Sequence, residues 1–276
     1  MKLAVMSYTL SRGVSAEQFD IPAMCHLAQE LNIDGIDMVS TYGRKAADLR
    51  KIVDDHGLKT ICHTFMADLN VTDSSALKAG LDVVRKGIED AVVLGTDKIM
   101  AVTPGKSGIA REKTRSNFVR GLQQALPWAK AAGITLTIEN FPGADSPFVI
   151  AADFKAALKD MPELRLTFDS GNVYTGGEDP ADSFRQCAKQ VVHSHFKDWD
   201  VVTQADRMKG LDGRFYQAAL IGEGSMAPLH KRILDAMREA RYPGYIDMEY
   251  EGQKYPADEA TRRIARYLRT LAVELN

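Results

Sequence analysis

The chain has 276 residues, 45% of them hydrophobic, with 35 basic and 37 acidic side chains and a formal net charge of -2. That is enough apolar material for a large α/β core and excludes disordered and fibrous classes. The near balance of charge supplies no field to draw in a polyanion, so nucleic acid is not an expected partner. The first residues, MKLAVMSYTL, carry one lysine and a short apolar run that reaches Ser7 and Thr9. Such a run is too short and too polar for a signal peptide or a membrane span, so a soluble, cytoplasmic protein without membrane association is expected. Cys25, Cys62 and Cys187 are odd in number and widely spaced. They suggest buried thiols in a reducing compartment and neither a disulfide framework nor a zinc pattern.

In chain order, one rhythm repeats. An apolar run at Leu3–Tyr8 precedes helical spacing over Ala16–Leu31, and Gly35–Val39 precedes Arg44–His56. Thr60–Phe65 leads to Ala76–Leu94, and Lys98–Val102 to Glu112–Ala132. Thr135–Asn140 is followed by Ala151–Lys159, Arg165–Asp169 by Pro180–Lys189, Val191–Phe196 by Pro228–Ala240, and Tyr245–Tyr250 by Ala257–Leu275. The short runs predict strands and the periodic segments predict helices. Gly57, Gly95 and Gly133 fall where a left-handed C-cap would end a helix. Eight β-then-α units without a linker predict a (β/α)8 TIM barrel spanning residues 1–276 as a single domain. The competing architecture is a doubly wound open sheet. It would call for a GxGxxG turn after the first strand, and none is there.

In a TIM barrel the chemistry sits at the C-terminal ends of the strands. The fifth run, TLTIEN, ends in Glu139 and Asn140, and the sixth, RLTFDSGN, carries Asp169. The seventh carries His193 and His195 in HSHFKD, and the eighth, YIDMEYEG, carries Asp247, Glu249 and Glu251. Side chains two apart on a strand share a face, so the spacing of the two histidines alone makes them equal candidates. A carboxylate inside an apolar strand is costly to desolvate unless it is paired or holds a cation. Four neighbouring strands that present carboxylate, carboxylate, imidazole and carboxylate favour the cation.

The ordered set ENFPG, TFDSGN, HSHFKD, IGEG and DMEYEG, with GIDMV on the second strand and CHT on the third, resembles the xylose isomerase-like barrel superfamily and its sugar isomerase and epimerase branch. The resemblance covers essentially the whole chain. It implies that one divalent cation is held by Glu139, Asp169, His195 and Glu249, with His193 hydrogen-bonded behind them. Three carboxylates and one imidazole suit Mn²⁺, the expected ion, and also Mg²⁺, Co²⁺ or Zn²⁺. By the same resemblance Glu139 and Glu249 are the catalytic acid/base pair and Asn172 is a substrate contact, while His63 either reaches a substrate oxygen or is a satisfied strand-end histidine. Asparagine at 172, where some relatives carry histidine, argues against a multi-metal site. Lys197 either contacts a substrate oxygen or pairs with an acid such as Asp198, and Trp199 either walls the pocket or packs. Asp247 and Glu251 are each open to an internal ion pair. Glu223 in IGEG belongs to a loop motif of structural role.

The implied function is isomerisation or epimerisation of a ketose or related keto-sugar, a small-molecule substrate. The cation polarises the carbonyl, and a carboxylate removes the α-proton to give a stabilised enediolate. An inosose-type dehydratase shares that first step and then expels a β-hydroxyl. An abasic-site endonuclease would need many more metal-binding histidines than six in all, together with a basic groove. A sugar-binding barrel without catalysis is the remaining reading. Association as a homo-dimer or homo-tetramer is common in the family. TPGKSG at 103–108 contains GKS, but the glycine a phosphate loop needs is replaced by Met100. His26, His56 and His230 are expected at helix surfaces or caps, and Arg262, Arg263, Arg266 and Arg269 on a solvated helix face.

Overall fold

The computed structural model of the protein describes residues 1–103 and 105–273. Its strands are β1 (Lys2–Met6), β2 (Gly35–Val39), β3 (Lys59–Met66), β4 (Lys98–Val102), β5 (Thr135–Glu139), β6 (Arg165–Asp169), β7 (Val191–Phe196), β8 (Asp198–Val202), β9 (Met208–Lys209), β10 (Phe215–Ala219) and β11 (Tyr245–Met248). The helices are α1 (Ser7–Ser11), α2 (Ile21–Glu30), α3 (Ala46–Asp55), α4 (Ser74–Leu94), α5 (Arg111–Ala132), α6 (Ala151–Asp160), α7 (Ser170–Tyr174), α8 (Pro180–Cys187), α9 (Ala227–Glu239) and α10 (Ala257–Val273). Eight strands close into a parallel barrel in the order β1, β11, β7, β6, β5, β4, β3, β2. The closing pair joins Lys2 to Tyr245 and Val5 to Met248, so the two ends of the described chain share one barrel. The expected (β/α)8 architecture is the observed one, and the open sheet is excluded.

Local chemistry explains the boundaries. Helix α2 begins five residues later than its spacing suggests, because Asp20 accepts the Ala23 N–H at 2.9 Å and Pro22 sits in the first turn. Asp73 caps α4 in the same way through the Ala76 N–H at 2.8 Å. Gly95 and Gly133 end α4 and α5 with φ of 77° and 69°, a conformation that costs glycine little. The first strand stops at Met6, where Ser7 opens the short α1, and the eighth barrel strand stops at Met248. The end of the last predicted helix, residues 274 and 275, lies outside the described residues.

The alternation of strands did not reveal one addition. Between β7 and α9 the chain makes a three-stranded antiparallel sheet, ordered β8, β10, β9. It leaves the C-terminal end of β7 and so stands beside that end of the barrel. Asp198 anchors the following turn by accepting the N–H groups of Gly222, Gly224 and Met226 at 3.0 to 3.1 Å. This is the structural work of the IGEG motif; Glu223 itself faces Lys254 at 2.6 Å. The main core lies between barrel and helices, while Met6, Cys62 and Met100 form a separate buried cluster. Cys62 Sγ lies 3.8 Å from Thr64 Oγ1, which donates to Asp37 Oδ2, so that cluster is on the inner side of the barrel, and burial first, then the charge of Asp37, raises the Cys62 thiol.

All three cysteines are free and buried. His230 is a correction: it is fully buried in α9, its Nδ1 lies 3.1 Å from the Tyr267 hydroxyl, and burial alone lowers it to about 3. His26 is exposed, and His56 ends α3 with its Nδ1 2.7 Å from the Ile52 carbonyl. On α10, Arg263 and Arg266 are exposed, and Arg262 pairs with Glu30. Lys106 of the GKS loop reaches Asp68 at 2.6 Å and the Asn70 carbonyl at 2.9 Å, so it is turned to the protein; Pro104 of that loop lies outside the described residues. Among the described residues no helix is long and apolar enough to cross a membrane.

Candidate metal centre

Parallel register brings the strand ends together. Asp169 on β6 and Asp247 on β11 both pair with His195 on β7, and Glu139 on β5 pairs with Thr167. Two hydrogen bonds to the Asn140 side-chain amide lock the ends of β5 and β6: the Asp169 N–H donates to Asn140 Oδ1 at 2.9 Å, and Asn140 Nδ2 donates to the Asp169 carbonyl at 2.7 Å. Glu139, Asp169, His195 and Glu249 consequently offer one ligand atom each within 4.8 Å of one another, and all four are buried. His195 Nδ1 lies 2.6 Å from Glu139 Oε1 and 3.4 Å from Glu249 Oε2.

Asp169 shows how a turn presents a ligand. It caps α7, its Oδ1 accepting the N–H groups of Gly171 and Asn172 at 2.7 Å each. Its Oδ2 is buried without a hydrogen bond, and so is Glu249 Oε2. Buried polar atoms are rarely left this way. Three carboxylates, two orphaned oxygens and an imidazole make a donor set that fits a hard divalent cation.

Electrostatics point the same way. Burial, together with the charges of Glu139 and Glu249, pushes Asp169 up to about 8 against the opposing pull of Lys197. Burial disfavours a charged His195, yet Glu139, Asp37 and Glu249 outweigh it and hold the imidazolium well above its usual range. Both ring nitrogens face carboxylates, Nδ1 towards Glu139 and Nε2 towards Asp37 at 3.2 Å, which is the arrangement of a doubly protonated ring. A cation on Nδ1 must displace that proton and the one that Asp169 retains. Mn²⁺ affinity should therefore rise by about tenfold to a hundredfold per pH unit between about pH 6 and 8, measured by calorimetry in several buffers. An affinity flat across that range would refute proton competition at these groups.

Lys197 is fully enclosed. Its ammonium lies 2.9 Å from Glu249 Oε1, 3.2 Å from Glu251 Oε1 and 3.7 Å from Asp169 Oδ2. These carboxylates, Glu249 first, outweigh the burial that opposes its charge and hold it protonated well above the usual lysine range. It does not pair with Asp198, which is turned to the opposite side. Glu251 completes an internal ion pair, and Asp247 does likewise with His193 at 3.3 Å.

The remaining expected residues fall at different distances from this centre. His63 on β3 is a correction: its neighbour Thr64 donates to Asp37 inside the barrel, so His63 turns to the helix side with Phe65, its Nδ1 2.9 Å from the Met38 carbonyl, and burial lowers its pKa. Asn172 is fully buried, and neither atom of its side-chain amide has a hydrogen bond. Trp199 lies on β8, 4% exposed, with the Lys197 ammonium 5.8 Å from its ring centroid. It lines a cleft of about 510 Å³ with Tyr216, Gln217, Glu251 and Lys254, and that cleft borders the centre at Glu251. His193 turns its Nε2 to Asp37 at 3.1 Å.

Asp37, in GIDMV on β2, was not among the sequence-derived candidates. Its fully buried carboxylate touches both histidines. Although burial opposes the charge, hydrogen bonds from His193 and His195 keep it ionised far below the usual range. The signal was there: an acid inside an apolar strand, the same sign that flagged Asp169. Tyr8 on α1 was also missed; after burial, the Glu251 charge is the main cause that raises its phenol.

Comparison with known proteins places the barrel. An inosose dehydratase of Lacticaseibacillus casei is 26% identical over 139 residues, 48% of this chain and 45% of that protein, so the aligned part is less than half of the relative. The barrel is shared with a solved IolI protein with a binding zinc atom, at TM-score 0.80, 16% identity and 99% coverage of both chains. It is shared equally with an L-ribulose 3-epimerase, at TM-score 0.79 and 17% identity, covering 100% of this chain and 97% of that one. The xylose isomerase-like TIM barrel model matches residues 25–271, a span that includes every residue of the Glu139, Asp169, His195 and Glu249 cluster, and the chain belongs to that family.

Proposed function

We propose that the protein is a divalent-cation-dependent isomerase or epimerase of a ketose or related keto-sugar, built as one barrel domain. The observation that carries this reading is the buried cluster of Glu139, Asp169, His195 and Glu249 with two carboxylate oxygens left without hydrogen bonds. These four residues would hold the cation, with Mn²⁺ the best match to three carboxylates and one imidazole. A bound cation supplies polarisation of the substrate carbonyl and of the hydroxyl beside it.

The chain's own groups account for the rest. Glu139 ends β5 and Glu249 follows β11, strands on either side of β7 in the barrel order, and in this reading one removes the proton α to the carbonyl and the other returns a proton. Return to the neighbouring carbon is isomerisation, and return to the opposite face is epimerisation. Lys197, held protonated by Glu249 and Glu251, stabilises negative charge that develops on the substrate. Asn172 offers an unbonded amide to a sugar hydroxyl, and Trp199 forms the wall towards the cleft. A small, uncharged polyol substrate suits this lining, and neither nucleic acid nor a membrane is a partner in this reading. We place the enzyme in the cytoplasm and expect it to assemble as a homo-dimer or homo-tetramer.

A dehydratase reading rests on the likeness to inosose dehydratase and requires the same base. One experiment separates the two. Mn²⁺-loaded protein is incubated in D2O with a panel of keto-sugars and keto-inositols, and products are read by mass. Deuterium uptake without loss of water supports isomerisation or epimerisation; loss of one water supports dehydration; neither, across the panel, argues against both.

A further inference from the structure

Below the proposed centre lies a second cluster. Two residues before Glu249 on β11 is Asp247, and two before His195 on β7 is His193, so both project from the same faces one step towards the N-terminal ends of the strands. Across the barrel β2 adds Asp37. Asp37, His193, His195 and Asp247 each offer a ligand atom within 4.8 Å of the others, and all are fully or almost fully buried.

The spacing is that of a coordination shell. His193 Nε2 lies 3.1 Å from Asp37 Oδ2 and 3.3 Å from Asp247 Oδ2, and His195 Nε2 lies 3.2 Å and 3.6 Å from the same two oxygens. Four ligands at the usual zinc bond lengths stand about 3.3 Å apart at the corners of a tetrahedron. Asp37 Oδ1 and Asp247 Oδ1 are buried and lack a hydrogen bond, so each carboxylate keeps an acceptor that the histidines do not fill.

We propose that Asp37, His193, His195 and Asp247 form a second, inner divalent-cation site with a preference for zinc. Two imidazoles and two carboxylates are a softer set than the three carboxylates and one imidazole of the outer cluster, and they select zinc over manganese. His195 joins the two sites, because it gives Nδ1 to the outer cluster and Nε2 to the inner one. A neutral imidazole has one lone pair. Zinc on Nε2 displaces the proton there to solvent and leaves Nδ1–H donating to Glu139, which removes His195 from the outer ligand set. Inner zinc and outer manganese therefore exclude one another at His195.

The test uses a Glu139→Gln/Glu249→Gln double variant, in which the outer cluster is disabled and the inner residues are intact. It should bind one Zn²⁺ per chain with an affinity within about tenfold of the wild type, and Co²⁺ should give the intense visible absorption of four-coordinate N2O2 ligation. Adding Asp247→Asn, or in a second variant His193→Gln, should weaken Zn²⁺ at least about a hundredfold and abolish the Co²⁺ band. A double variant that binds no Zn²⁺, or binding that ignores both inner substitutions, overturns the proposal and leaves the quartet as a set of histidine–aspartate ion pairs. The outer site is judged separately, by Mn²⁺ binding to the wild type.

Discussion

Glu139→Gln and Glu249→Gln should each lower turnover of the selected keto-sugar by about 10³-fold or more, because proton transfer by a positioned group commonly contributes 10² to 10⁴. The double variant should lose little beyond the worse single one, since the two act on one proton path and such losses are not additive. Each glutamate is also a proposed ligand, so the comparison that isolates catalysis is Asp169→Asn. Asp169 offers a ligand oxygen but is placed on no proton path, and its Oδ1 is occupied by the Gly171 and Asn172 N–H groups. Its variant should recover most of its turnover at saturating Mn²⁺, whereas the glutamate variants should not. Recovery of all three alike would reduce Glu139 and Glu249 to ligands.

Lys197→Met should destabilise the cation-free protein by about 3–5 kcal/mol, the usual cost of removing one partner from a buried ion pair. The Lys197 side chain is 2% exposed and its ammonium stands within 4 Å of Asp169, Glu249 and Glu251, so its loss leaves two buried carboxylates and the partly exposed Glu251 without their nearest positive charge. Mn²⁺ should then raise the melting temperature more in the variant than in the wild type, because the cation supplies the charge the lysine gave. Urea unfolding with and without Mn²⁺ measures both effects. An unchanged midpoint in the absence of cation would mean that the carboxylates are already neutralised by protons.

The outer cluster was legible because each member closes an apolar strand, and the barrel rule converts position on a strand into position in space. Strand parity carries more than was taken from it. Lys197 has the parity of His193 and His195 and turns inward with them, while Asp198 turns outward to the Gly222–Met226 turn. Asp37 obeys the same logic one strand away from its partners, but only barrel closure brings β2 within reach of β7. His230 was misread as a surface residue although Ile233, Leu234 and Met237 follow it at helical spacing on one buried face. The β8–β10 sheet was not foreseen because DWDVV and FYQAA are short runs interrupted by polar residues, and their pairing is set by tertiary contact.

The most direct test of the central claim is calorimetric titration of metal-stripped protein with Mn²⁺, beside Asp169→Asn and His195→Ala. The account predicts one Mn²⁺ per chain in the wild type and at least about a hundredfold weaker binding in both variants. Absence of binding in the wild type, or affinities that both substitutions leave unchanged, would contradict it.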